Sequence, residues 1–247
     1  MAMAFKKLVK SAVYSICAMA ILATMITIAA SSSASAESPG SNSATAQPLA
    51  GTSVAQRLTE RAKTSWPWYV ARGSGMIAAV ALAILLLSGI GQVTGYTFKL
   101  LDPITAWATH RALGLAFGLA VIVHLVSLLF DHFVPFTIWQ LLIPWLSPYK
   151  SLTIGGVQLG SVYVALGVIA FYLVAIVIIT SLLWVEKKPY LWKLLHLLSY
   201  VILLFVFIHA LYLGTDLADG ILRLLWLVLA AGIAGACLHR LWRAKTL

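Results

Sequence analysis

Long apolar runs separated by short polar breaks dominate the chain from residue 66 onward, and this rhythm predicts helices that cross a membrane. Five runs stand out, at about 68–92, 108–130, 157–184, 194–214 and 220–239. Each can cross a hydrocarbon core of roughly 30 Å at about 1.5 Å per residue. No run shows the two-residue alternation of a half-buried strand, and no internal repeat is visible. The expected fold class is all-α, a polytopic transmembrane helical bundle of five spans in residues 66–247.

The N-terminal pattern differs. Lys6, Lys7 and Lys10 precede an apolar stretch over 11–30, and Ala34-Ser35-Ala36 forms an A-x-A site before Glu37. Residues 1–36 are therefore expected to be a signal peptide, or a sixth span if the leader is retained. Residues 37–65, rich in Ser, Ala, Gly, Pro and Thr, read as a flexible extracytoplasmic linker.

Composition agrees with the pattern, since 62% of residues are hydrophobic and only 10% charged. Water-exposed surfaces need far more charge than that. The net charge of +10 does not form a nucleic-acid patch, because the basic residues stand at the ends of apolar runs, where they set orientation and meet lipid headgroups. Lys187, Lys188 and Lys193 in one short loop, and Arg240, Arg243 and Lys245 in the tail, place both segments in the cytoplasm. The 131–156 and 215–219 loops then face out with Lys150 alone, although Arg57, Arg61, Lys63 and Arg72 put basic residues on the same side. The expected location is a multi-pass cell-membrane protein with a cytoplasmic C-terminus. The 131–156 loop is rich in aromatics and proline, which suits a short helix or lid in the interface. Two distant cysteines, Cys17 and Cys237, exclude a disulfide framework, a cysteine zinc site and an iron–sulfur cluster.

The chemistry rests on histidines inside the spans, where ionisable side chains are costly and by default functional. His110 and His124 lie on the second run, and His196 and His209 on the fourth. Spacings of 14 and 13 residues set each second histidine about 20 Å beyond the first. Depth therefore pairs His110 with His196 near the cytoplasmic side and His124 with His209 near the outer side. Facing histidines on two helices suit the two axial positions of a b-type haem, so two haems are expected. Rotation fits less well: 13 residues leave a straight helix about 140° out of register. All seven acidic residues fall in loops or the linker, which disfavours the distant alternative of a histidine-based metal permease. Arg72 and Arg111, at the outer and inner mouths, are candidate partners for haem propionates, with snorkelling to lipid phosphate as the alternative. His132 and His239, at span ends, read as interfacial.

The stretch His110-Arg111-Ala112-Leu113-Gly114 with His124 resembles the haem-bearing third helix of ferric reductase-like transmembrane proteins. Trp192-Lys193-Leu194-Leu195-His196, with Tyr200 and His209, is similar to their fifth helix, and Arg72-Gly73-Ser74-Gly75 to the start of a span. The resemblance covers about residues 66–240. That family includes NADPH oxidases, eukaryotic ferric reductases and the membrane haem subunit of a bacterial periplasmic methionine sulfoxide reductase. It implies transmembrane electron transfer through two haems b held by His110, His124, His196 and His209, with ferric iron or a separate periplasmic reductase as the acceptor. The oxidases and eukaryotic reductases continue into a flavin and nicotinamide domain, and this sequence has no Gly-rich dinucleotide fingerprint. The donor is therefore expected to be another molecule, a separate flavin reductase or a membrane quinol. With two histidines on each iron, direct oxygen activation is not expected.

Overall fold

A computed structural model describes residues 54–154 and 157–245. The expected signal segment and residues 37–53 of the linker lie outside the described residues. Helix α1 runs from Val54 to Thr94, α2 from Pro103 to Leu128, α3 from Ile138 to Leu142 and α4 from Val162 to Leu183. Helix α5 spans Pro189–His196, α6 Leu198–Leu213 and α7 Gly220–Lys245. Among the described residues five segments are long and apolar enough to cross a membrane: Ser65–Thr94, Pro103–Leu128, Val162–Leu183, Pro189–Leu213 and Gly220–Arg240. The all-α, five-span reading holds.

Three boundaries differ from the sequence reading. Residues 54–65, expected as linker, begin α1. The segment Ala55-Gln56-Arg57-Leu58 and Glu60-Arg61-Ala62-Lys63 consists of strong helix formers with no glycine or proline, whereas the Ser- and Pro-rich composition belongs to the residues before it. Residues 157–159, expected to open the third span, instead form a strand, Val157–Leu159, antiparallel to Leu152–Ile154. Leu152 pairs Leu159 and Ile154 pairs Val157, and the intervening Gly155-Gly156 is a hairpin signal between residues of strand propensity. The fourth span is two helices, broken at Leu197 directly after His196.

Local sequence explains several ends. Asp102 caps α2 by accepting the N–H groups of Ile104 (3.1 Å) and Thr105 (3.0 Å), with Pro103 at the first helical position. Ser161, fully buried, caps α4 through the N–H of Val164 (3.2 Å). Helix α3 starts with a capping box between Thr137 and Gln140.

The main packing pairs are α1 with α2 and α4 with α6, giving two antiparallel arms. Alanines let α1 approach its neighbours: Ala78 and Ala81, with Leu82 and Leu85, meet Phe117 of α2, Val174 of α4 and Ile202 of α6. Helix α7 closes the other side of α1, with Trp226 stacked on Phe207 at 5.5 Å and Ile233 beside Ile90 and Tyr200. Outward faces stay apolar, as with Ile104, Leu119 and Ile122 of α2, which are 80%, 62% and 53% exposed. Only a lipid environment leaves such a face at low free-energy cost.

Candidate paired-histidine sites

The four intramembrane histidines occupy two levels of the bundle. His110 and His196 face each other with ring centres 6.2 Å apart. Two imidazoles ligating one metal ion from opposite sides, each at roughly 2 Å, stand with their ring centres about 6 Å apart. The observed gap leaves room for a metal between the rings, and it is also the separation of a tilted ring pair, with the planes 51° apart. His124 and His209 lie at the other level, toward the end carrying the 131–161 loop, near enough for charge on one to act on the other. Among the described residues no three His, Cys, Asp or Glu side chains gather as a metal cluster. The histidines are arranged as pairs.

Each ring is held at Nδ1 by a span of its own arm. Nδ1 of His124 donates to the carbonyl of Ala71 (2.7 Å), and Nδ1 of His209 to the carbonyl of Tyr163 (2.9 Å). Nδ1 of His110 lies 2.8 Å from Oγ of Ser88, and Nδ1 of His196 lies 3.2 Å from Oγ of Ser181. With Nδ1 engaged, Nε2 is the atom left to ligate, the usual division of labour in metal-binding histidines.

Glycines make the close approach feasible. A carbonyl inside a helix already accepts the N–H four residues on, and a side chain there would shield it. Behind Ala71 and Tyr163 those positions are Gly75 and Gly167. A Cβ on Gly75 would stand 2.9 Å from Nδ1 of His124, and one on Gly167 would stand 2.5 Å from Nδ1 of His209. Gly89 is less confined, its Cβ position being 3.5 Å from Cε1 of His110.

The two arms repeat one device, although no repeat was legible in the sequence. On α1 the accepting carbonyl (Ala71), the glycine four residues later and the serine at 88 serve the histidines of α2. On α4 the carbonyl of Tyr163, Gly167 and Ser181 serve those of α5 and α6. The carbonyl-to-serine offsets are 17 residues (88 − 71) and 18 residues (181 − 163). The break at Leu197 bears on the rotational mismatch of the fourth span. There the N–H of Tyr200 bonds back three residues to Leu197 (3.2 Å), and a three-residue turn advances further per residue than an α turn. This local overwinding recovers part of the 140°.

The candidate arginines make other contacts. Arg72 forms a two-point ion pair with Asp216, Nε to Oδ2 at 2.8 Å, and lies 3.9 Å from the ring centre of Trp68. Arg111 is exposed, 5.3 Å from the ring centre of Trp107. His239 lies 3.3 Å from the hydroxyl of Tyr96. His132 borders a cavity of about 330 Å³ with Trp66, Phe130, Asp131 and Phe136. None of these groups joins a histidine pair. Sequence reasoning missed Ser88, Ser181 and Gly167, whose only signal was a small or hydroxylic residue inside an apolar span. Compared with family models, with curated proteins and with solved structures, the chain matches none.

Proposed function

We propose that this chain is a transmembrane electron relay holding two b-type haems, one between His110 and His196 and one between His124 and His209, in the manner of the ferric reductase-like transmembrane family it resembles. The observation that carries the reading is the 6.2 Å ring separation of His110 and His196, with Nδ1 of both held from behind. When bound, haem iron supplies one-electron redox chemistry at each level.

The residues do the rest. The hydrogen bonds at Nδ1 hold the four imidazoles in place, and rigid ligands keep reorganisation small during electron transfer. Leu82, Leu85, Phe117 and Ile202 pack into one buried apolar cluster, and packing of that density leaves little room for water. Positive charge near the 185–193 loop and the C-terminal tail supports an orientation with the His110 level toward the cytoplasm. In this orientation a cytoplasmic flavin reductase or a membrane quinol is the donor. The acceptor lies outside, ferric iron or a separate periplasmic reductase.

The test is an absorption spectrum of the full chain purified from haem-replete cells, with its haem quantified. A Soret band corresponding to two haems per chain is expected. Protein that folds without one removes this reading in favour of a permease or a structural membrane protein.

A further inference from the structure

The hydrogen bonds that hold the four imidazoles do not constrain them equally, and the difference singles out His196. A ligating imidazole must present Nε2 without a proton, so its proton must sit on Nδ1. The carbonyls of Ala71 and Tyr163 can only accept, which fixes that tautomer in His124 and His209. Ser88 is an ambivalent partner in principle, but its hydroxyl donates to the carbonyl of Leu85 (2.9 Å). Its oxygen therefore accepts from Nδ1 of His110, and the third tautomer is fixed as well.

Ser181 is wired the other way. Its oxygen accepts the indole N–H of Trp192 at 3.1 Å, and the acceptor at hand for its own hydroxyl proton is Nδ1 of His196 at 3.2 Å. A donor chain from Trp192 to Ser181 to His196 follows, and hydrogen bonds in such a chain strengthen one another. In that arrangement Nδ1 of His196 accepts from Ser181 and the ring proton sits on Nε2, which can ligate only after the proton moves. Ligation by His196 requires the last link to reverse. His196 also ends the eight-residue helix α5, uncoupled from α6 at Leu197, whereas the other three ligands sit within long helices.

We propose that His196 is the detachable ligand, so that the inner site opens on its side and binds a small neutral molecule of the carbon monoxide or nitric oxide class opposite His110. The inference rests on the two-haem reading above and departs from it at this one ligand. The test is carbon monoxide binding to the full-length, haem-loaded protein reduced with dithionite. About half of the haem should react, one site of two. A His124→Ala/His209→Ala variant, left with the inner pair, should keep that signal. Trp192→Phe removes the donor that turns Ser181 toward His196, and should lower the reactive share several-fold with the Soret band retained. Ser181→Ala should do the same, which covers a Trp192→Phe protein that fails to fold. Haem-loaded protein that ignores carbon monoxide, or that keeps the parent's reactive share in both Trp192→Phe and Ser181→Ala, overturns the proposal. So does reaction confined to the outer pair. Protein without a Soret band is a distinct result, because it removes the two-haem reading itself.

Discussion

At Gly167 one added methyl group would stand 2.5 Å from both Nδ1 and Cε1 of His209, well inside van der Waals contact, and the ring would have to leave the carbonyl of Tyr163. On the proposed two-haem reading, Gly167→Ala should therefore remove the outer haem and keep the inner one, lowering the Soret absorbance by roughly half. Gly89→Ala, with its 3.5 Å clearance from His110, should leave both. Equal haem content in the two variants would show that glycine does not position the ring. Outside the spans, the hydrogen bond from the side chain of Thr105, together with backbone N–H groups, holds the Asp102 carboxyl below its ordinary value. A depressed carboxyl favours the fold above the usual carboxylate range and loses that contribution as pH falls through its lowered value. Asp102→Asn should accordingly flatten the acid limb of a stability–pH profile in detergent and leave the profile near pH 7 almost unchanged. The histidines were legible because imidazole is rare and costly among aliphatic side chains. Their braces were not, because serine and glycine are ordinary within membrane helices and a backbone carbonyl has no letter in a sequence.

Between helices, the number of spans was legible and their terminations less so. Twenty-odd apolar residues in a row announce a crossing on their own, but the Leu197 break carries no glycine or proline to mark it. Its mark in the structure is the N–H of Tyr200 bonding back three residues to Leu197. Helix α4 depends on its cap: Ser161→Ala should destabilise the bundle by about 1 kcal/mol, read as a lower unfolding temperature in detergent. Arg72 ties α1 to the connection between α6 and α7 through Asp216, with both side chains partly exposed at 31% and 22%. Arg72→Leu should cost roughly 1.5–3 kcal/mol, the range for hydrogen bonds to charged groups. Arg72→Leu protein as heat-stable as the parent would show that lipid headgroups serve Asp216's end of the molecule as well.

Across the whole molecule, the arms α1–α2 and α4–α6 each contribute one imidazole to each level, together with that imidazole's brace. Loss should therefore follow level, not helix. If the proposed haems are bound, His110→Ala and His196→Ala should remove the same one, and His124→Ala and His209→Ala the other, as separate redox titration of each variant would reveal. This layered logic was half visible in the sequence, where depth paired the histidines correctly by spacing and helical phase did not. It also bears on how the protein is made. Each arm can enter the bilayer as a self-contained helical hairpin with its own braces already closed, but neither can complete a site alone. Under the proposed function, haem capture would be the step that joins two independently inserted halves. The halves expressed as separate polypeptides, divided at Gly155-Gly156, should co-purify from haem-replete cells and part company in haem-starved ones.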